Sequence, residues 1–230
     1  MPAASIRARA RAEMINEIKA IARRHLAAEG ANLSLRAVAR DMGMVSSAIY
    51  RYFPSRDELL TALIVDGYHA LGDAVEAGDA EVTDRADLRG RWLAVCHAVR
   101  RWALTQPAEY ALLFGSPVPG YAAPQETTVA AARTPAALSR ILVDGLAAGI
   151  LTDPGPAELP GPVHADLAAV RDHLFAGVPE ALLARGAAGW IHCFGAVSFE
   201  LFGQLNGVIE AREEFFDHQM RRMVDLIGLP

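Results

Sequence analysis

The chain has 230 residues, of which 52% are apolar and 21% charged, and a formal net charge of −5. Such a composition supports a large buried core and excludes a disordered chain. It also argues against a membrane span: the richest apolar region, 186–207, is broken by His192, Ser198, Glu200, Gln204 and Asn206 well before the roughly 20 residues a spanning helix needs.

The opening stretch, MPAASIRARARAEMINEI, is basic but runs directly into an amphipathic pattern with no secretion-type apolar block, so the chain reads as cytoplasmic. Its two cysteines, Cys96 and Cys193, lie too far apart for metal-type spacing and make no disulfide framework. The charge is unevenly distributed. Residues 1–60 hold ten Lys or Arg against six acids, a net of +4, and the remaining 170 carry a net of −9. A basic head on an acidic body points to a polyanionic partner for the head alone.

Strand signals are nearly absent, and helical spacing of Ala, Leu and Arg predicts an all-α fold. A first helix is expected over 6–29, with Ile15, Ile18, Ala22 and Leu26 one turn apart and Gly30 closing it. A second begins near Ser34 as N-cap, carries Leu35, Val38, Ala39 and Met42 on one face, and ends at Gly43. A third helix is expected from Ser46, and it must stop by Phe53 because Pro54 follows. Ser55, with Glu58 three residues on, caps a fourth helix through Leu59, Leu63 and Tyr68 to about Gly78.

Six further helices are expected in the body: 85–104, 108–114, one within 125–150, 164–175, 179–205 and 210–227. Segments 115–124 and 152–162 read as loops from their Pro and Gly content. Thr134-Pro135 is compatible either with a kink or with a helix start.

Helix, glycine turn and helix make a helix-turn-helix, whose second helix enters the major groove of DNA. On a wheel of about 100° per residue, Val45, Ile49 and Phe53 fall within about 80° toward the core, and Ser46, Tyr50, Ser47 and Arg51 spread over about 140° toward solvent. Hydroxyls and guanidinium groups on that face are donors for phosphate oxygens, and Arg36 has the reach for a guanine edge or a phosphate. Ser34 and Arg56 stand at helix starts, where backbone N–H groups also favour phosphate.

Residues 33–60 resemble the DNA-binding domain of the TetR transcriptional regulators: Ser34, the Val38-Ala39 pair, Gly43, Ser46, Tyr50, Tyr52, Phe53 and Arg56 match that family's pattern. By position, the resemblance implies DNA contacts from Ser34, Arg36, Ser46, Ser47, Tyr50, Tyr52 and Arg56, with Arg51 on the same face. Arg56 replaces a usual lysine, and Ala48 stands where threonine is common. The family's organisation implies a DNA-binding domain at 1–54 and an effector-binding and dimerisation domain at 55–230. The segment GWIHCFGAVSFELFGQL further resembles a Trp-His-Gly subgroup of C-terminal domains, with Phe194 in place of a histidine.

The resemblance also implies a homodimer joined through the last two long helices, on a double-stranded operator. Trp190, Val197, Leu201, Leu205, Phe216, Met220 and Met223 are the expected interface, with Ile191, Ser198, Phe199 and Phe202 on a neighbouring seam. Gly189, Gly195 and Gly203 leave room for a close neighbouring helix. An effector cavity is expected among Trp92, Cys96, His97, Trp102, Tyr110, Phe114, Phe175, Trp190 and Phe194, and few buried charges there suggest an apolar, neutral or aromatic ligand of unknown identity.

No phosphate loop, nucleophile elbow or HExxH helix is present in the sequence, so neither enzyme chemistry nor a cofactor is expected. His164 and His173, near Asp166 and Asp172, do not have metal-ligand spacing on one helix face. The competing reading is a helical ligand-binding or scaffold protein whose head no longer binds DNA.

Overall fold

The computed structural model describes residues 3–30, 33–155 and 158–230, apart from the side chains at 3–5, 29, 173 and 174. Among the described residues there are ten α-helices, one 3-10 turn and no strand. Contacts divide the chain into two compact units. One comprises residues 1–68 with 106–130, and the other 69–105 with 131–230.

The first unit contains α1 (Ala3–Glu29), α2 (Leu35–Asp41), a 3-10 turn (Ile49–Arg51), the start of α3 (Arg56–Glu81), α5 (Pro107–Phe114) and most of α6 (Gln125–Ala131). Its core is the set of apolar residues that helical spacing places on facing stripes: Ile18, Ala22 and Leu26 of α1, Leu35, Val38 and Ala39 of α2, Ile49 and Phe53, and Leu59, Leu60 and Leu63 of α3. Ser34 caps α2 by accepting from the Ala37 N–H, and Ser55 caps α3 by accepting from that of Glu58.

Helix α2 ends where Gly43, at φ +67°, lets the chain reverse. The Met44 N–H then reaches the Ala39 carbonyl and the Gly43 N–H that of Arg40, satisfying carbonyls the helix would otherwise leave bare. Helix α5 packs on α1, where Arg23 pairs with Glu109 at 2.7 Å and with Asp66 at 2.8 Å. The loop at 115–124 is tied back by a 2.8 Å bond between the Tyr121 hydroxyl and Thr61.

The second unit holds the end of α3, α4 (Leu88–Thr105), α7 (Arg133–Ala147), α8 (Gly161–Leu174), α9 (Glu180–Leu201) and α10 (Arg212–Ile227). Helix α4 is its axis, packing against α7, α9 and α10. The single helix expected within 125–150 is two, since the chain breaks at Ala132 and α7 starts afresh at Arg133. Pro135 thus lies in a first turn, where its missing N–H removes no helical bond.

Buried ion pairs join these helices. The guanidinium of Arg91, fully buried, donates to both Asp79 carboxylate oxygens, at 2.8 and 3.3 Å, and to Asp144 at 2.7 Å. Burial works against the Asp79 charge, yet the hydrogen bonds and charges of Arg91 and Arg85 outweigh it and hold the carboxyl below the usual aspartate range. Arg133 joins α7 to α3 through Asp73 and Glu76.

Glycine matters most at Gly189. A Cβ there would lie 2.8 Å from Trp92 and 2.9 Å from Ile227, so its absence lets α4 and α10 both press on α9. Gly195, by contrast, has open space around it, and Gly203 lies beyond the helix end at φ +81°.

Arg100 on α4 grips Glu200 on α9 with two bonds of 2.8 and 2.7 Å, and both residues are buried. Arg100→Met, which strands the Glu200 charge, is expected to cost about 3 kcal/mol, and the Arg100→Met/Glu200→Leu double variant to recover most of it. Chemical denaturation of the four proteins of this cycle measures both effects.

Candidate nucleic-acid interface and ligand cavity

The expected third helix forms only as turns over 46–48 followed by the 3-10 turn. Its bonds are short-range, with the Ala48 N–H on the Val45 carbonyl and the Tyr52 N–H on that of Ile49. This corrects the helical wheel. Ile49 and Phe53 are buried as expected, but Val45 is 72% exposed because it precedes the turn rather than sitting within an α-helix.

Ser46, Ser47, Tyr50 and Arg51 all face solvent, Tyr50 being 43% exposed despite its size. Ser34, Arg36, Arg40 and Ser46 surround one shallow depression on the α2 side of the turn, which brings together three of the residues named from sequence, Ser34, Arg36 and Ser46. Tyr52 is half-buried, packed on the core of the unit. Arg56 is engaged in the fold: its Nε donates to the Leu33 carbonyl at 3.1 Å, fastening the entry to α2 onto α3.

Sequence reasoning misses two cations. Arg40 borders the depression but falls outside the matched pattern. Arg11, forty residues before the turn, donates from Nη1 to the Arg51 carbonyl at 3.1 Å and sets its guanidinium 5.3 Å from the Tyr52 ring centroid. No local signal reveals so distant a pairing, whereas Arg40 can be found from its place one turn beyond Arg36.

In the second unit, Trp92, Phe175 and Trp190 line a cavity of about 260 Å³ together with aliphatic residues of α7 and α8. The other residues expected around it lie elsewhere. Burial and a hydrogen bond with Cys193 push the Cys96 thiol up. His97 bonds Asp217 at 3.1 Å and packs edge-on against Phe216. Asp217 lies below its usual range, held chiefly by Arg221. Trp102 is buried off the cavity, and Phe194 packs on Trp190. Tyr110 and Phe114 belong to the first unit, where Phe114 meets Tyr68 edge-on. The walls that sequence reasoning misses, Leu138, Leu142, Leu167 and Val170, are aliphatic and carry no pattern that separates wall from core.

The expected interface residues also need correction. Val197, Phe216 and Met220 are fully buried, because α10 packs its apolar stripe onto α9 and α4 of the same chain. Trp190 is a cavity wall, and Leu201, Leu205 and Met223 are only half-buried. The face left open is the neighbouring seam, where Ile191 is 63%, Phe199 57% and Phe202 43% exposed beside a groove reaching Leu205 and Phe215. His164 pairs with Glu180 at 2.5 Å, and the side chain of His173 lies outside the described residues. No helix among the described residues is long and apolar enough to cross a membrane.

Comparison with known proteins agrees with this geometry. The model of bacterial regulatory proteins of the tetR family matches residues 18–63, and that of tetracyclin repressor-like C-terminal domains matches residues 92–223. The HTH-type transcriptional regulator Rv1816 of Mycobacterium tuberculosis is 40% identical over 231 residues, covering 95% of this chain and 94% of that protein. Mb1846 of Mycobacterium bovis, also an HTH-type transcriptional regulator, matches to the same extent. Among solved structures, that of the regulatory protein SCO4313 matches with a TM-score of 0.76 at 38% identity, over 94% of this chain and 98% of that one.

A head with an exposed helix-turn-helix face and a larger helical body make up the architecture of a helix-turn-helix transcriptional regulator. The chain belongs to the TetR family of helix-turn-helix transcriptional regulators.

If Arg11 holds the recognition turn in shape, Arg11→Met should cost about 1 kcal/mol and speed amide exchange in residues 48–53 ahead of the rest of the unit. Hydrogen-exchange mass spectrometry checks this, and unchanged protection in that segment would remove the role.

Proposed function

We propose that this TetR-family chain is a homodimeric repressor released from a palindromic operator by a small, largely apolar effector, and that its C-terminal part is of the Trp-His-Gly type. The observation that carries the DNA-binding part is the exposure of Ser46, Ser47, Tyr50 and Arg51, with Ser46 bordering one depression together with Ser34 and Arg36. Residues 1–54 act on the DNA. Ser46, Ser47 and Arg36 approach base edges, Tyr50, Tyr52 and Arg51 hold phosphates, and Arg56 sets the entry to α2. The body, 69–105 with 131–230, takes effector and partner.

Dimerisation through α9 and α10 is supported by Ile191, Phe199 and Phe202, which expose more apolar surface than a lone protomer has reason to show. A two-fold related pair of this kind presents two recognition turns to successive half-sites. Effector binding shifts the population toward a body conformation whose heads no longer match the spacing of the groove, and transcription resumes.

Band-shift titrations with DNA from upstream of the protein's own gene test the first part. Binding is expected to weaken steeply with salt, and Arg51→Ala to lower the slope of log affinity against log salt by about 0.9 for each phosphate that the side chain no longer neutralises. Tyr50→Ala and Arg36→Ala should weaken binding by about tenfold each. Affinity no better than for random DNA would refute the reading.

Sedimentation tests the second part. Phe199→Glu is expected to give a folded monomer by placing a charge in the interface, and a variant that stays dimeric moves the interface elsewhere.

A further inference from the structure

Val45 stands at the front of the recognition segment. The chain reverses at Gly43, Met44 packs its side chain on the core, and Val45, next in line, is left 72% exposed. Its carbonyl accepts from the Ala48 N–H, so it opens the turn that carries Ser46, Ser47, Tyr50 and Arg51. It borders the same depression as Ser34, Arg36, Arg40 and Ser46.

Lone exposed valines are ordinary on protein surfaces. This one differs in its company. The side chains around it are hydroxyls and cations, suited to a polyanion, and a helix-turn-helix presents the first residues of its second element to base edges. A valine has no donor or acceptor to offer there. The one apolar group that distinguishes a base on its major-groove edge is the C5-methyl of thymine. Set over a purine edge, the valine would displace water from polar groups and replace none of their bonds, and over cytosine it would meet no methyl.

Resting on the reading of residues 1–54 as a DNA-binding head, we propose that Val45 is a specificity-determining residue that reads thymine. In each half-site of the operator its two methyl groups pack on the C5-methyl of one thymine, beside the polar contacts of Arg36 and Ser46. The contact removes about one methyl group from water, which is worth about fourfold in affinity per half-site. Loss of the methyl from both half-sites at once costs about fifteenfold, since well-separated contacts add in free energy.

The test uses the full chain. Its operator is obtained by selecting bound duplexes from a random-sequence pool, and affinities are then measured by fluorescence anisotropy at one fixed salt concentration. Each thymine of the selected half-site is replaced in turn by deoxyuridine, in both halves together. This removes the methyl group and keeps the base pairing. At one thymine position the replacement should weaken binding about fifteenfold, and 5-bromodeoxyuridine, whose bromine fills the place of the methyl, should restore it. Val45→Ala and Val45→Ser should lose most of this sensitivity while melting with the natural chain, because the side chain they alter lies largely outside the fold.

Selected half-sites with no thymine whose methyl matters, no restoration by the bromo base, or full sensitivity kept by both variants would overturn the assignment to Val45. A chain that selects no sequence over random DNA sinks the regulator reading and this proposal with it. Selection of a defined operator whose thymine methyls are all indifferent sinks the proposal and leaves that reading standing.

Discussion

A recognition segment of one 3-10 turn has too few internal hydrogen bonds to hold its own shape, so everything it presents depends on anchors outside it. Ile49 and Phe53 sink into the core formed by α1, α2 and α3, which orients the turn. Arg11 then closes over it from α1, bonding the Arg51 carbonyl and covering Tyr52. With both anchors in place, Ser46, Ser47, Tyr50 and Arg51 have nowhere to turn but outward.

The body rests on a different kind of constraint. Its helices are apolar enough to pack in several registers, and the buried pairs of Arg91 with Asp79 and Asp144 and of Arg100 with Glu200 select one by penalising any arrangement that separates them. Gly189 adds a steric condition: the indole of Trp92 and the side chain of Ile227 reach α9 only because no Cβ stands there. The same close packing leaves α9 with two distinct apolar faces, one consumed by α4 and α10 and one open to solvent.

Much of this is legible in the amino-acid order. Periodicity and caps locate the helices to within a few residues, since Ser34, Gly43, Ser55 and Pro54 act on the backbone next to them. The exposed residues of the turn are legible as well, because Ile49 and Phe53 can only face inward. A 100° wheel misplaces Val45, because the segment that follows it is not an α-helix. Two apolar seams of α9 are visible on the same wheel, but periodicity says nothing of which one α10 covers, and the structure buries Val197, expected to face a partner, within the chain itself.

By itself, then, the amino-acid order determined the all-helical fold, the basic head and the residues that the turn leaves facing solvent, all of which follow from neighbours within a turn or two. Tertiary structure alone decided that Arg11 steadies the turn, that α5 joins the first unit, that Trp92 and Trp190 share a cavity with no partner for their N–H groups, and that Ile191 and Phe199 stay uncovered. The physical reason is range: capping, periodicity and charge act along the chain, whereas burial and pairing are settled between residues forty to a hundred positions apart, whose meeting no local pattern encodes.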